Sequence, residues 1–133
     1  MAPPLSLIPR TLAAFFATAT LTYAIVYFRQ PIQSLEVFDF DHPPHSSDTQ
    51  IINVLTSLLG AKVCFISAAM YAAAAFGSMR VLGWTMIGAS AVAGMDGVIV
   101  GEYVGRGEWN HWGYGGVEFG LGFLCVLGVF GRG

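Results

Sequence analysis

Between Ile51 and Phe76 the chain carries a single charge, Lys62, and no polar stripe. A helix in a water-soluble bundle turns a polar residue outward about every 3.6 positions. Here Ser67 to Phe76 reads Ser-Ala-Ala-Met-Tyr-Ala-Ala-Ala-Ala-Phe, and Val81 to Met95 is equally bare. Such runs are stable in lipid, where crossing takes about 20 apolar residues in helix. Four stretches reach or approach that length: 11–28, bracketed by Arg10 and Arg29; 51–76; about 81–104, interrupted by Asp96 and Glu102; and about 114–130, interrupted by Glu118. Four spans of about 20 residues take up well over half of a 133-residue chain. The expected fold is therefore all-α, a four-helix transmembrane bundle forming one integral membrane domain over 1–133.

Composition agrees. Charged residues make up 11% of the chain, against about 25% in a soluble domain, and mean hydropathy is +0.64. Disorder needs the opposite balance. Six basic residues, scattered singly, make no nucleic-acid footprint. Arg10 ahead of an apolar run, with Ala24 behind it, also fits a cleaved secretory leader. The run continues through Phe28, however, beyond the usual length of such a segment. Cys64 and Cys125 both fall inside spans and read as small apolar residues. No nucleotide, haem or iron–sulfur motif occurs, so no cofactor is expected.

The first connection, 29–50, is the long polar one, with Glu36, Asp39, Asp41 and Asp48 and with His42 and His45 flanking Pro43-Pro44. Those groups could face a divalent ion, but their spacing matches no standard zinc pattern, and an exposed acidic loop is the expectation. Gly77-Ser78-Met79-Arg80 is short enough to force an antiparallel hairpin. A third connection is expected at about 105–113. Four spans put the termini and the hairpin turn on one side, with Arg10, Arg80 and Arg132, and leave Arg29 and Arg106 on the other. The excess of positive charge favours cytosolic termini.

Lys62, Asp96 and Glu118 fall at membrane depth. A charge at mid-bilayer costs about 2.5–3.5 kcal/mol on insertion scales. Turning inward would let one base meet one or both acids, and the long Lys stem helps it reach them. These residues are therefore expected to form a buried cluster. It would serve either as a lock on helix packing or as a proton-handling or ligand-anchoring site. The third connection adds Glu108-Trp109-Asn110-His111-Trp112-Gly113-Tyr114. Its Trp and Tyr read as an interface belt. His111 is the remaining candidate for acid–base work or ligand contact, with a solvent-facing position as the simpler expectation. The candidate catalytic residues are thus Asp96, Glu118, His111 and Lys62.

Ala89, Ala93, Gly97 and Gly101 recur every four residues in the third span, as do Gly116 and Gly120 in the fourth. Small residues at that spacing let helices approach closely in lipid, within the chain or between copies in a homo-oligomer.

Several segments carry a resemblance: Phe38-Asp39-Phe40, Leu59-Gly60-Ala61, Tyr71-Ala72-Ala73-Ala74, Leu82-Gly83-Trp84, Ala91-Val92-Ala93, Asp96-Gly97 and, most specific, Gly107-Glu108-Trp109-Asn110-His111-Trp112-Gly113-Tyr114. Over roughly 38–114 the chain resembles the small four-span fungal membrane proteins grouped as a domain of unknown function. Where members of that family tend to have Arg-Asp after Gly-Ala, this chain has Lys62-Val63, which keeps the cation and loses the adjacent acid. The resemblance implies four spans, a fungal origin and an endomembrane location such as the endoplasmic reticulum. It carries no established reaction.

Two functions are consistent with these features. One is a multi-pass accessory or structural component of a fungal lipophilic-metabolite pathway. The other is a small membrane enzyme performing acid–base chemistry, such as isomerisation, cyclisation or cofactor-free oxidation, on a lipophilic substrate. In the second, Asp96 or Glu118 would be acid or base, Lys62 a charge stabiliser, and His111 a group at the pocket mouth. A transporter would require several copies to enclose a path.

Overall fold

The computed structural model describes residues 5–38, 40 and 46–131. Asp39, Asp41, His42, His45 and Arg132, with the metal and charge expectations attached to them, lie outside the described residues. Among the described residues there are four α-helices, α1 (Leu7–Arg29), α2 (Ser46–Phe76), α3 (Met79–Val104) and α4 (Glu108–Val126), plus a short 3-10 helix, η1 (Gln33–Phe38). Among them α1, residues Thr49–Phe76 of α2, and α3 are each long and apolar enough to cross a membrane. The fourth helix begins at Glu108, well before the expected start near 114, and ends at Val126. Gly107 makes this early start possible. It adopts φ 85° as the N-cap, a left-handed conformation open to glycine at no steric cost, and Glu108 then sits favourably at the positive end of the helix. Much of the expected third connection is therefore helical.

The packing pattern is that of a protein in lipid. Small residues face inward, with Ala13, Ala17 and Ala24 fully buried. Large apolar ones face outward, among them Phe65 at 76% exposure and Phe76 at 91%. Such an exterior would be unstable in water. Hydroxyls within the helices are satisfied along the helix itself: Thr18, Thr20 and Thr22 donate to the carbonyls of Ala14, Phe16 and Thr18. That local bonding is what lets polar side chains reside in a helix without water.

The chain forms two antiparallel hairpins. In α1–α2, the buried Ser67 hydroxyl donates to the Ala17 carbonyl at 2.5 Å. Arg10 donates to the carbonyls of Ala74 and Gly77, placing a cation on the negative end of α2. In α3–α4, Gly83 and Gly122 cross backbone to backbone. A Cβ on either would come within 2.6 or 2.7 Å of the other's carbonyl oxygen. The Trp112 ring lies over Gly97, Ala93 touches Gly115, and Glu108 faces Gly101. The small-residue row of α3 is thus covered by α4 of the same chain, whereas Gly116 and Gly120 face open space. The hairpins meet at the turn end in a core of Ala13, Ala73, Ala74, Met79, Leu82 and Met86, with Phe16, Leu121 and Phe130 packed on it. Ser78 caps α3 there, its hydroxyl accepting from the Val81 amide.

Candidate functional site

Away from the turn end, contact between the hairpins gives way to clefts. One runs between α1 and α4. Its upper chamber, about 390 Å³, is lined by Tyr23, Tyr27, Asn110, His111 and Tyr114. Its lower chamber, about 200 Å³, shares Tyr23, Tyr27 and Tyr114 and continues to Phe15, Phe16, Ala19, Thr20 and Val63. Tyr23 and Tyr27, four residues apart on α1, fall on one helix face, and Phe16 and Thr20 extend that face downward. Tyr23 and Tyr114 are half-exposed at the lip, so the cleft opens sideways.

The top is closed by a stack of three rings. Phe38 of η1 lies nearly parallel to Tyr27, with centroids 6.0 Å apart, and to His111, at 5.4 Å. His111 is buried at 6% exposure. It is neither in a loop nor facing solvent, because α4 has already begun at Glu108 and its first turns aim the imidazole inward. On the other side of η1 a groove of about 220 Å³ lies between α2 and α3, lined by Leu35, Phe38, Phe40, Leu55, Thr56, Leu59, Asp96, Ile99 and Val100. Phe38 borders this groove and stacks on two residues of the cleft, so it sits between the two spaces.

Lys62 and Asp96 meet across the seam from α2 to α3, Nζ to Oδ1 at 3.4 Å. Both remain partly accessible, at 41% and 23%. The Asp96 carboxylate is also within electrostatic range of the Tyr27 and Tyr114 hydroxyls. Glu118 is elsewhere. It is buried at 2% exposure on the α4 face shared with His111, Gly115, Gly122 and Cys125. Among the described residues it makes no ion pair with Lys62, and its electrostatic neighbour is Tyr114. The structure therefore brings together two of the three intramembrane charges and leaves Glu118 apart, one helix turn below Tyr114 on α4. Glu102 is exposed.

Sequence reasoning missed the tyrosines of α1 and the role of Phe38. The spacing of Phe16, Thr20, Tyr23 and Tyr27 was the available signal, since it places aromatic and hydroxyl groups along one helix face. Chemically, the cleft offers aromatic walls, tyrosine hydroxyls and an Asn–His pair at one end, and an apolar floor at the other. The described residues contain no group of three or more His, Cys, Asp or Glu side chains able to hold a metal ion.

Comparison with curated proteins and with solved structures gives no match. The profile of a domain of unknown function, DUF4267, matches residues 17–125, a stretch that includes the cleft apart from Phe15 and Phe16, the Lys62–Asp96 pair and the ring stack. The chain belongs to the DUF4267 family.

Proposed function

We propose that this multi-pass membrane protein holds a lipophilic small molecule in the α1–α4 cleft, as an accessory component of a lipophilic-metabolite pathway. The carrying observation is that the two chambers share Tyr23, Tyr27 and Tyr114 and differ in character, with Asn110 and His111 above and Phe15 and Phe16 below. Together they have the few-hundred-Å³ scale and the mostly apolar lining, with a few convergent polar groups, of a ligand site. The sideways opening suits a ligand arriving from the bilayer. The fungal and endomembrane setting is supported by resemblance alone, and cytosolic termini by Arg10, Arg80 and Arg132 in the sequence against Arg29 and Arg106.

The test is purification in mild detergent followed by mass spectrometry of co-purifying lipophiles, together with metabolite profiling of a null strain carrying wild type or Ala19→Trp. The indole should fill the lower chamber. Wild type is expected to carry a lipophile and restore the profile, and Ala19→Trp, checked for a native melt, to do neither. Wild type that carries nothing and a profile insensitive to the null would end the proposal.

A second reading, acid–base catalysis on that molecule, is favoured by the electrostatic proximity of Asp96 to Tyr27 and Tyr114. In this reading Asp96 is the base, reached through those hydroxyls, Lys62 steadies its charge, and His111 stands at the cleft's upper end. Glu118 does not line the cleft and would act through Tyr114. Asp96→Asn would then leave the ligand bound but unconverted, whereas unchanged turnover would exclude the enzyme.

A further inference from the structure

The lining of the cleft says more than that its occupant is lipophilic. Among the described residues that line either chamber there is no Lys or Arg, and no Asp or Glu. Arg29 and Arg106 belong to the same end of the bundle, but both are exposed and neither lines the cleft. Lys62, the cation nearest the lower chamber in sequence, is paired with Asp96. An anionic head group would therefore meet hydrogen-bond donors from Tyr, Asn110 and His111 but no Lys or Arg to neutralise it, with Asp96 and Glu118 both within range of Tyr114 at the wall. A cationic head fares no better, because no carboxylate lines the cleft and the charge of Asp96 is balanced by Lys62. Burying an unpaired charge is strongly unfavourable.

The walls carry a second preference. Phe15, Phe16, Tyr23, Tyr27, Tyr114 and His111 present six rings to the two chambers. Aromatic pairs gain favourable ring–ring contact beyond their area burial, which an alkyl chain does not. The Thr20 hydroxyl is already used, donating to the Phe16 carbonyl at 2.8 Å, so the lower chamber presents little polarity. The upper chamber presents the tyrosine hydroxyls and the Asn110 amide.

We infer that the cleft selects an uncharged, ring-bearing lipophile with a hydroxyl or carbonyl at one end, in preference to fatty acids, charged amphiphiles and simple alkyl chains. This rests on the cleft being the ligand site.

The experiment is equilibrium dialysis of the purified protein in detergent, against a protein-free micelle blank, with four probes. Three share one ring system: 2-naphthol (neutral), 2-naphthoate (anionic) and 2-(aminomethyl)naphthalene (cationic at neutral pH). The fourth, 1-decanol, is neutral without a ring. Ala19→Trp, verified as folded by its melt, reports whether binding is in the cleft. The expected result is 2-naphthol binding about tenfold or more tightly than each of the other three, with Ala19→Trp losing it. Binding of 2-naphthoate, the ammonium or decanol within threefold of 2-naphthol overturns the selectivity while leaving the cleft as the site. Retention of 2-naphthol by Ala19→Trp, or no binding of any probe to wild type, overturns both.

Discussion

Gly83 and Gly122 bring the backbones of α3 and α4 so close that neither position has room for a methyl group. The seam between the hairpins is built differently. Beyond the turn-end core, among the described residues, it is held by the 3.4 Å Lys62–Asp96 ion pair and by the stacking of Phe38 between Tyr27 and His111, with a cleft on one side and a groove on the other. In lipid there is no hydrophobic force to drive helices together, so close packing and hydrogen bonds carry association. Where small residues permit packing, the structure is tight. Where Tyr, Phe and charged side chains hold helices apart, it leaves space. The site lies in the seam for that reason.

The largest effect should come from filling the tight region. Gly83→Leu is expected to lower the melting temperature in detergent by on the order of 10 °C, or to abolish accumulation, while Gly116→Leu, facing open space, should melt like wild type. Similar melts for the two would break the contrast. Next, Arg10→Met removes both donors to the Ala74 and Gly77 carbonyls and should cost about 2 kcal/mol in a denaturing-detergent titration. A loss below a few tenths would remove the clamp from the α1–α2 hairpin.

Phe38→Ala deletes both stacks and should loosen the seam by about 1 kcal/mol. Cys64 packs in the cluster that includes Tyr27 and Phe38, so its maleimide labelling should quicken about fivefold. Cys125, buried on the α3-facing side of α4, should stay as protected as before. Equal acceleration of both cysteines would mean that the hairpins open as one unit. The smallest effect is expected for Asp96→Asn, about 0.6–1 kcal/mol, because the pair is long and partly accessible. The exchange Lys62→Asp with Asp96→Lys should recover most of it. Failure of the exchange would show that Asp96 is held by something other than Lys62.

The long apolar helices were legible because lipid leaves a bare backbone no alternative to helix. The Lys62–Asp96 pair was legible because isolated charges at that depth must find a counter-charge or pay heavily. Glu118 was not placed correctly by the same logic, which says that an acid must turn inward but not which group it will face. The start of α4 was obscured because Trp109, Asn110, His111 and Gly113 resemble an interfacial loop in composition. Gly107, in the left-handed conformation, caps a helix that already includes them.

The amino-acid order alone settled that the chain is helical and lipid-facing, that small residues line at least one helix contact, and that a cation and an acid meet between helices, where the structure leaves them partly accessible rather than buried. These follow from backbone hydrogen bonding and charge burial, which act on each segment wherever its neighbours lie. Only the tertiary structure decided that α4 covers the small-residue row of α3, that His111 turns inward beneath Phe38, and that tyrosines of α1 meet Tyr114 to frame a cleft. Apolar contact in lipid has no preferred direction, so the pairing of helix faces depends on the shapes of all four helices at once.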